Sequence, residues 1–107
     1  MKVVGITACP TGIAHTYMAQ ENLEKECKKR GFDCKIETQG SLGIENELDM
    51  KDIENADLVI LGIGIAIEGE ERFIKKIVYE TSVSECVTNP SKVLEEALVY
   101  YKECKNE

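Results

Sequence analysis

The order of apolar and polar positions predicts strands alternating with helices. Lys2 to Ala8 (KVVGITA) is a β-branched apolar run that ends at a loop, and a stretch with helical periodicity follows from about Ala14 to Arg30. Within it Ala19, Leu23 and Cys27 recur every four residues on one face, and Arg30-Gly31 supplies a basic last turn and a C-cap. Phe32 to Thr38 (FDCKIET) alternates apolar and polar side chains as a half-buried strand does; Gly40 and Gly43 then open a loop of about a dozen residues. Asp49 to Asn55 suits a short helix, and Asp57 to Ile63 (DLVILGI) is apolar on both alternating sets, as a central parallel strand is. A charged segment, Gly69 to Lys75, leads to a fourth strand at Lys76 to Glu80 (KIVYE) and one helical turn at Ser82 to Val87. Asn89 and Pro90 form an N-cap and N1 pair for a closing helix, whose buried face is marked by Val93, Leu94, Ala97, Leu98 and Tyr101.

This order predicts an α/β fold: an open parallel four-stranded sheet, strand order 2-1-3-4, with helices on both faces. Ligands of such sheets bind beyond the C-terminal ends of the strands. The chain has 107 residues, the size of one domain with one core, so residues 1–107 are expected to form a single domain.

Composition narrows the function. Twenty acidic residues against thirteen Lys plus Arg give a net charge of -7, which repels phosphate backbones and anionic lipid surfaces and argues against nucleic acid as a partner. The longest apolar run, Leu58 to Ile67, is too short and too glycine-broken to span a bilayer, so no membrane insertion is expected. Residues Met1 to Ala8 are too short for the apolar core of a signal peptide, although small residues precede Cys9. Five cysteines, with no CxxC or Cys/His ligand spacing, suit a thiol-containing cytoplasmic protein with no metal site.

The chemistry converges on Cys9 to Thr16 (CPTGIAHT), between the first strand and the first helix. A helix N-terminus offers unpaired N–H groups and about half a unit of positive charge, which favours a thiolate or a phosphate in front of it and is expected to lower the pKa of Cys9. Gly12 lets the backbone turn its amides inward, so the N–H groups from Thr11 through Ile13, Ala14, His15 and Thr16 can ring a dianion on the sulfur, while Pro10 stiffens the turn without donating. The hydroxyls of Thr11 and Thr16 add donors, and His15, the chain's one histidine, is positioned to assist transfer or neutralise charge. Taken singly, a cysteine or a histidine is more often a packing residue; together, after a strand and before a helix, these residues point to a phosphate-handling loop. The other cysteines, Cys27, Cys34, Cys86 and Cys104, read as structural or incidental.

Two reactive chemistries share such a loop, and a noncatalytic anion-binding module is a third reading. The spacing resembles the cysteine, five residues, arginine loop of tyrosine phosphatases, with His15 in the arginine's place. A phosphatase relies on the bidentate guanidinium to stabilise its transition state, and imidazole lacks that fork. The site therefore favours relay of a phosphoryl group over its hydrolysis.

CPTGIAHTYMA (Cys9 to Ala19), ETQGSLGIENEL (Glu37 to Leu48) and ADLVI (Ala56 to Ile60), with ERF (Glu71 to Phe73) and VYE (Val78 to Glu80), resemble the fructose-type IIB components of the bacterial phosphoenolpyruvate-dependent sugar phosphotransferase system. The resemblance covers nearly the whole chain. It implies a cytoplasmic phosphotransferase in which Cys9 accepts a phosphoryl group from the phosphohistidine of a IIA protein or domain and passes it to fructose or a related sugar on the membrane IIC permease, with no cofactor or metal. Gln39 and Asn46, in a loop beside the active one, are open to contact with a partner or phosphate. The chain departs from its relatives at Gly64, where an acidic residue is common, which bears on partner choice and sugar specificity.

Overall fold

The computed structural model describes residues 1–9, 13–40 and 43–105. The elements run β1 (Lys2–Ala8), α1 (Ile13–Lys29), β2 (Asp33–Gly40), β3 (Gly43–Glu45), α2 (Met50–Glu54), β4 (Leu58–Ile63), β5 (Val78–Thr81), α3 (Val83–Thr88) and α4 (Pro90–Lys105), with a 3-10 turn at Glu70–Phe73 before β5. The sheet order is β3-β2-β1-β4-β5. β2, β1, β4 and β5 are parallel, in the order expected from the sequence, and β3 runs antiparallel to β2.

The strand count is therefore five, not four. β3 falls inside the stretch that sequence assigns to a loop, because three exposed residues carry no periodic signal. It is held by pairing, Thr38 with Glu45 and Gly40 with Gly43, and ends where Asn46 turns into positive φ and donates its side-chain N–H to the Ile36 carbonyl at 2.9 Å.

Both faces of the sheet are covered, unequally. On one, α1, α3 and α4 bury Ala19, Leu23, Cys86, Leu94 and Ala97 against Val3, Ile36, Leu58 and Ile60. On the other, α2 and the 3-10 turn contribute Ile53 and Phe73 against Val4, Ile6, Val59 and Leu61. Close helix packing on the first face sets the residue at Gly62: a Cβ there would lie 2.5 Å from Cys86 Sγ.

Local caps match their sequence signals. Gly31 has φ 77°, with Gly31 N–H donating to the Lys28 carbonyl and Phe32 N–H to the Cys27 carbonyl, so α1 closes in a Schellman motif. Asp49 and Asp52 form a capping box at α2. β2 departs from the half-buried strand predicted for it: Glu37, Thr38 and Gln39 are 0%, 2% and 7% exposed. Its polar face is covered by the segment that follows β4, and this covering shapes the site.

Candidate functional site

β1 delivers Cys9 to the C-terminal edge of the sheet. Ala8 lies in register with Gln39 of β2 and Ile63 of β4, and Gly64 N–H donates to the Ala8 carbonyl at 2.8 Å, so Gly64 sits against the residue that precedes Cys9. Cys9 is 8% exposed. It lines a cleft of about 390 Å³ with Gln39 and Gly40 of β2, Ile44 of β3, and Ile65, Ala66 and Glu68 beyond β4. Cys9 thus meets Gly40, Gly43 and Ile44 at one cleft.

α1 starts at Ile13, and Thr16 in its first turn is buried, with Oγ1 lacking a hydrogen-bond partner among the described residues. Thr7 Oγ1 donates to the Thr16 carbonyl at 3.1 Å, fastening β1 to that turn. Pro10, Thr11 and Gly12 lie outside the described residues. Ala14 and His15 are exposed. His15 borders a separate depression of about 160 Å³ with Ser84, Val87 and Thr88, and among the described residues it is not part of the Cys9 cleft wall.

Behind the cleft wall lies a charged network that sequence reading missed. Glu37, sealed from solvent, accepts from Arg72 Nη1 at 2.9 Å, Arg72 Nη2 at 3.0 Å, Leu48 N–H at 2.9 Å and Gln39 Nε2 at 2.7 Å. These four bonds use about all the acceptor capacity of a carboxylate. Burial pushes the Glu37 carboxyl up, but the Arg72 fork, the Gln39 amide and the Leu48 N–H outweigh it and hold the group below its ordinary value. Arg72 spends its remaining N–H groups on the carbonyls of Gly69, Leu48 and Glu68, at 2.7, 3.1 and 3.3 Å.

Gln39 and Asn46, open to ligand in the sequence reading, have internal partners. The Gln39 amide pairs with the Glu68 backbone, donating to its carbonyl at 2.9 Å and accepting from its N–H at 2.9 Å, and Asn46 binds Ile36. Arg30, the chain's other arginine, sits at the far end of α1 with Glu26 and Glu95. Neither arginine presents an unspent fork to Cys9. Among the described residues no cluster of His, Cys, Asp and Glu is placed to hold a metal ion, and no helix is long and apolar enough to cross a membrane.

The family described as "PTS system, Lactose/Cellobiose specific IIB subunit" matches residues 4–96, and the chain belongs to it: this is a IIB component of the sugar phosphotransferase system, a phosphotransferase. Within that class its relatives are fructose-like. The chain is 46% identical over 93 residues to the "PTS system fructose-like EIIB component 2" of Escherichia coli K12, covering 87% of this chain and 88% of that one. It is 44% identical over 98 residues to the "Fructose-like PTS system EIIBC component" of the same strain, covering 90% of this chain and 20% of that longer one. Among solved structures, a domain of the fructose-specific IIABC component of Borrelia burgdorferi superposes with a TM-score of 0.85 at 45% identity, covering 90% of this chain and 91% of that domain. The lactose-specific IIB domain of Streptococcus pneumoniae, at 14% identity, TM-score 0.50 and coverage of 94% and 97%, shares the fold alone.

Proposed function

We propose that Cys9 is the phosphoryl carrier of a fructose-like IIB component, loaded by a IIA phosphohistidine and unloaded onto fructose or a related sugar held by a IIC permease. The observation that carries this reading is the placement of Cys9 in a cleft at the end of the central strand; in the first turn of α1 the buried Thr16 hydroxyl lacks a partner among the described residues. In the first step the Cys9 thiolate attacks phosphorus in line; the S–P bond forms, the P–N bond breaks, and the imidazole leaves. In the second a sugar hydroxyl attacks phosphorus; the O–P bond forms, the S–P bond breaks, the thiolate is regenerated, and the hydroxyl proton passes to a base. Both displacements need positioning and charge stabilisation rather than a cofactor.

The phosphate oxygens are held in this reading by backbone N–H groups from Thr11, Gly12, Ile13, Ala14, His15 and Thr16, with Pro10 shaping the turn. An unpaired buried hydroxyl costs about 1–3 kcal/mol, so a phosphoryl oxygen bonded to Thr16 Oγ1 recovers that penalty. The commitment of Arg72 to Glu37 supports relay over hydrolysis, since a phosphatase needs a free guanidinium. Relatives whose names join B and C components support IIC as the acceptor's carrier. The role is a cytoplasmic one, at the cytoplasmic face of the membrane permease.

Transfer from phosphorylated IIA to sugar in membranes that contain a fructose-type IIC tests the reading. Cys9→Ser is expected to abolish sugar phosphate formation, and retention of transfer by that variant rejects it. Brisk hydrolysis of aryl phosphates by the wild type would favour the phosphatase instead. His15→Ala separates the assisting role: slower exchange with IIA in a folded variant supports it, and an unchanged rate removes it.

A further inference from the structure

Much of the cleft wall lacks regular structure. No helix or strand holds the chain between Ile63 and Glu70, yet this segment supplies Ile65, Ala66 and Glu68 to the Cys9 cleft. It is pinned at Gly64 by the Ala8 carbonyl, and at Glu68 and Gly69 by Gln39 and Arg72. Gly69 has φ 77°, and a Cβ there would fall 2.5 Å from Arg72 Nε, so the backbone and the guanidinium fit together closely.

A buried ion pair is an inefficient way to gain stability, because apolar replacements of similar volume often do as well. Its distinctive property is geometric. One planar guanidinium joins the Glu37 carboxylate on β2, the Leu48 carbonyl after β3 and the Glu68 and Gly69 carbonyls after β4. Three stretches distant in sequence are locked in one plane.

We propose that Arg72, clamped on Glu37, is a positioning residue for phosphoryl transfer: it fixes the 64–69 segment as the wall of the Cys9 cleft and so the path by which the phosphoryl group reaches and leaves the sulfur. The proposal rests on the reading of Cys9 as the carrier. Arg72 itself does not touch the sulfur or the phosphoryl group in this account.

Arg72→Lys keeps the charge but replaces the five-donor fork with a point ammonium. In single-turnover and steady-state transfer from phosphorylated IIA, its kcat is expected to fall about tenfold or more while KM for IIA changes less than about twofold. Gln39→Ala removes the two Gln39 bonds to the Glu68 backbone while leaving the Glu37–Arg72 pair and the Arg72 bond to the Glu68 carbonyl in place, and its kcat is expected to fall by a smaller factor. Val93→Ala, on α4 in the opposite core, serves as the stability control. Wild-type kcat in Arg72→Lys overturns the proposal, as does an equal kcat loss in Val93→Ala at an equal loss of Tm. Should Arg72→Lys fail to fold, wild-type kcat in Gln39→Ala overturns it.

A second readout separates this proposal from the carrier reading. If wild-type Cys9 accepts no phosphoryl group from a competent donor, the carrier reading fails. The wall is then read by the rate of Cys9 alkylation with iodoacetamide, followed on the Cys9 peptide by mass spectrometry. Faster alkylation in Arg72→Lys and Gln39→Ala, with no change in Val93→Ala, supports a wall fixed by Arg72; equal rates in all variants overturn it.

Discussion

The two ends of the sheet are each tied by a carboxylate paired with cationic side chains, two lysines at one end and one arginine at the other, and they differ in burial. At the N-terminal end Asp52 of α2 accepts from Lys35 Nζ at 2.8 Å and Lys2 Nζ at 3.5 Å, with side chains 17%, 33% and 27% exposed. At the C-terminal end Glu37 is sealed, and a fully spent guanidinium faces it. Water can stand in for either partner at the first site, so little depends on it beyond the seating of α2. At the second the Arg72 side chain is 22% exposed but the carboxylate is out of water's reach, and it holds together three pieces of chain. The contrast follows from topology: parallel sheets place their irregular, ligand-facing loops at the C-terminal end, where no ladder fixes the backbone and side chains must.

The largest effect expected from breaking this comparison is at Glu37. Glu37→Leu leaves the Arg72 guanidinium without its counter-ion and should cost about 3–5 kcal/mol in urea unfolding, whereas Glu37→Leu with Arg72→Met should recover most of it. A single-variant loss below about 1 kcal/mol would mean that the two ends are equivalent. Asp52→Asn should cost about 1 kcal/mol or less, shrinking further in high salt, while the cost at Glu37 should hardly respond to salt.

The smallest and most diagnostic effect is the pH dependence. Asp52 is held well below its ordinary value of 3.8, first by the Lys35 hydrogen bond, and Glu37 is held below 4.5 by bonds that outweigh its burial. A carboxyl depressed in the folded state contributes stability that is fully present above its unfolded value and is lost as the pH falls towards its folded one. Unfolding free energy should therefore drop on acidification below about pH 4.5, and less steeply in Asp52→Asn than in the wild type. A wild type that gains stability over that range would contradict the assignment.

Sequence pattern carried the parallel sheet, the order of its four parallel strands, α1 with its Gly31 stop, α4 after Pro90, and the position of Cys9. Each rests on local periodicity or on a cap, signals contained within a few residues. β3 was not legible, because Gly43–Glu45 is exposed throughout and exists only by pairing with β2. The Glu37–Arg72 pair was not legible either, since its members are 35 residues apart and no local pattern links them. Alternation in FDCKIET assigns Glu37 to a solvated face, and that assignment fails because the 64–73 segment covers it. The ETQG and ERF segments stood out by resemblance alone; the network gives them a physical reason.

The central claim is that Cys9 carries the phosphoryl group, and intact-mass spectrometry tests it most directly. The protein and its Cys9→Ser variant are incubated with phosphoenolpyruvate, the general phosphotransferase proteins and a fructose-type IIA. The account predicts one adduct of about 80 Da, the mass of a single phosphoryl group, on the wild type and none on Cys9→Ser. No adduct on the wild type with a donor shown to be phosphorylated, or an equal adduct on Cys9→Ser, would contradict it.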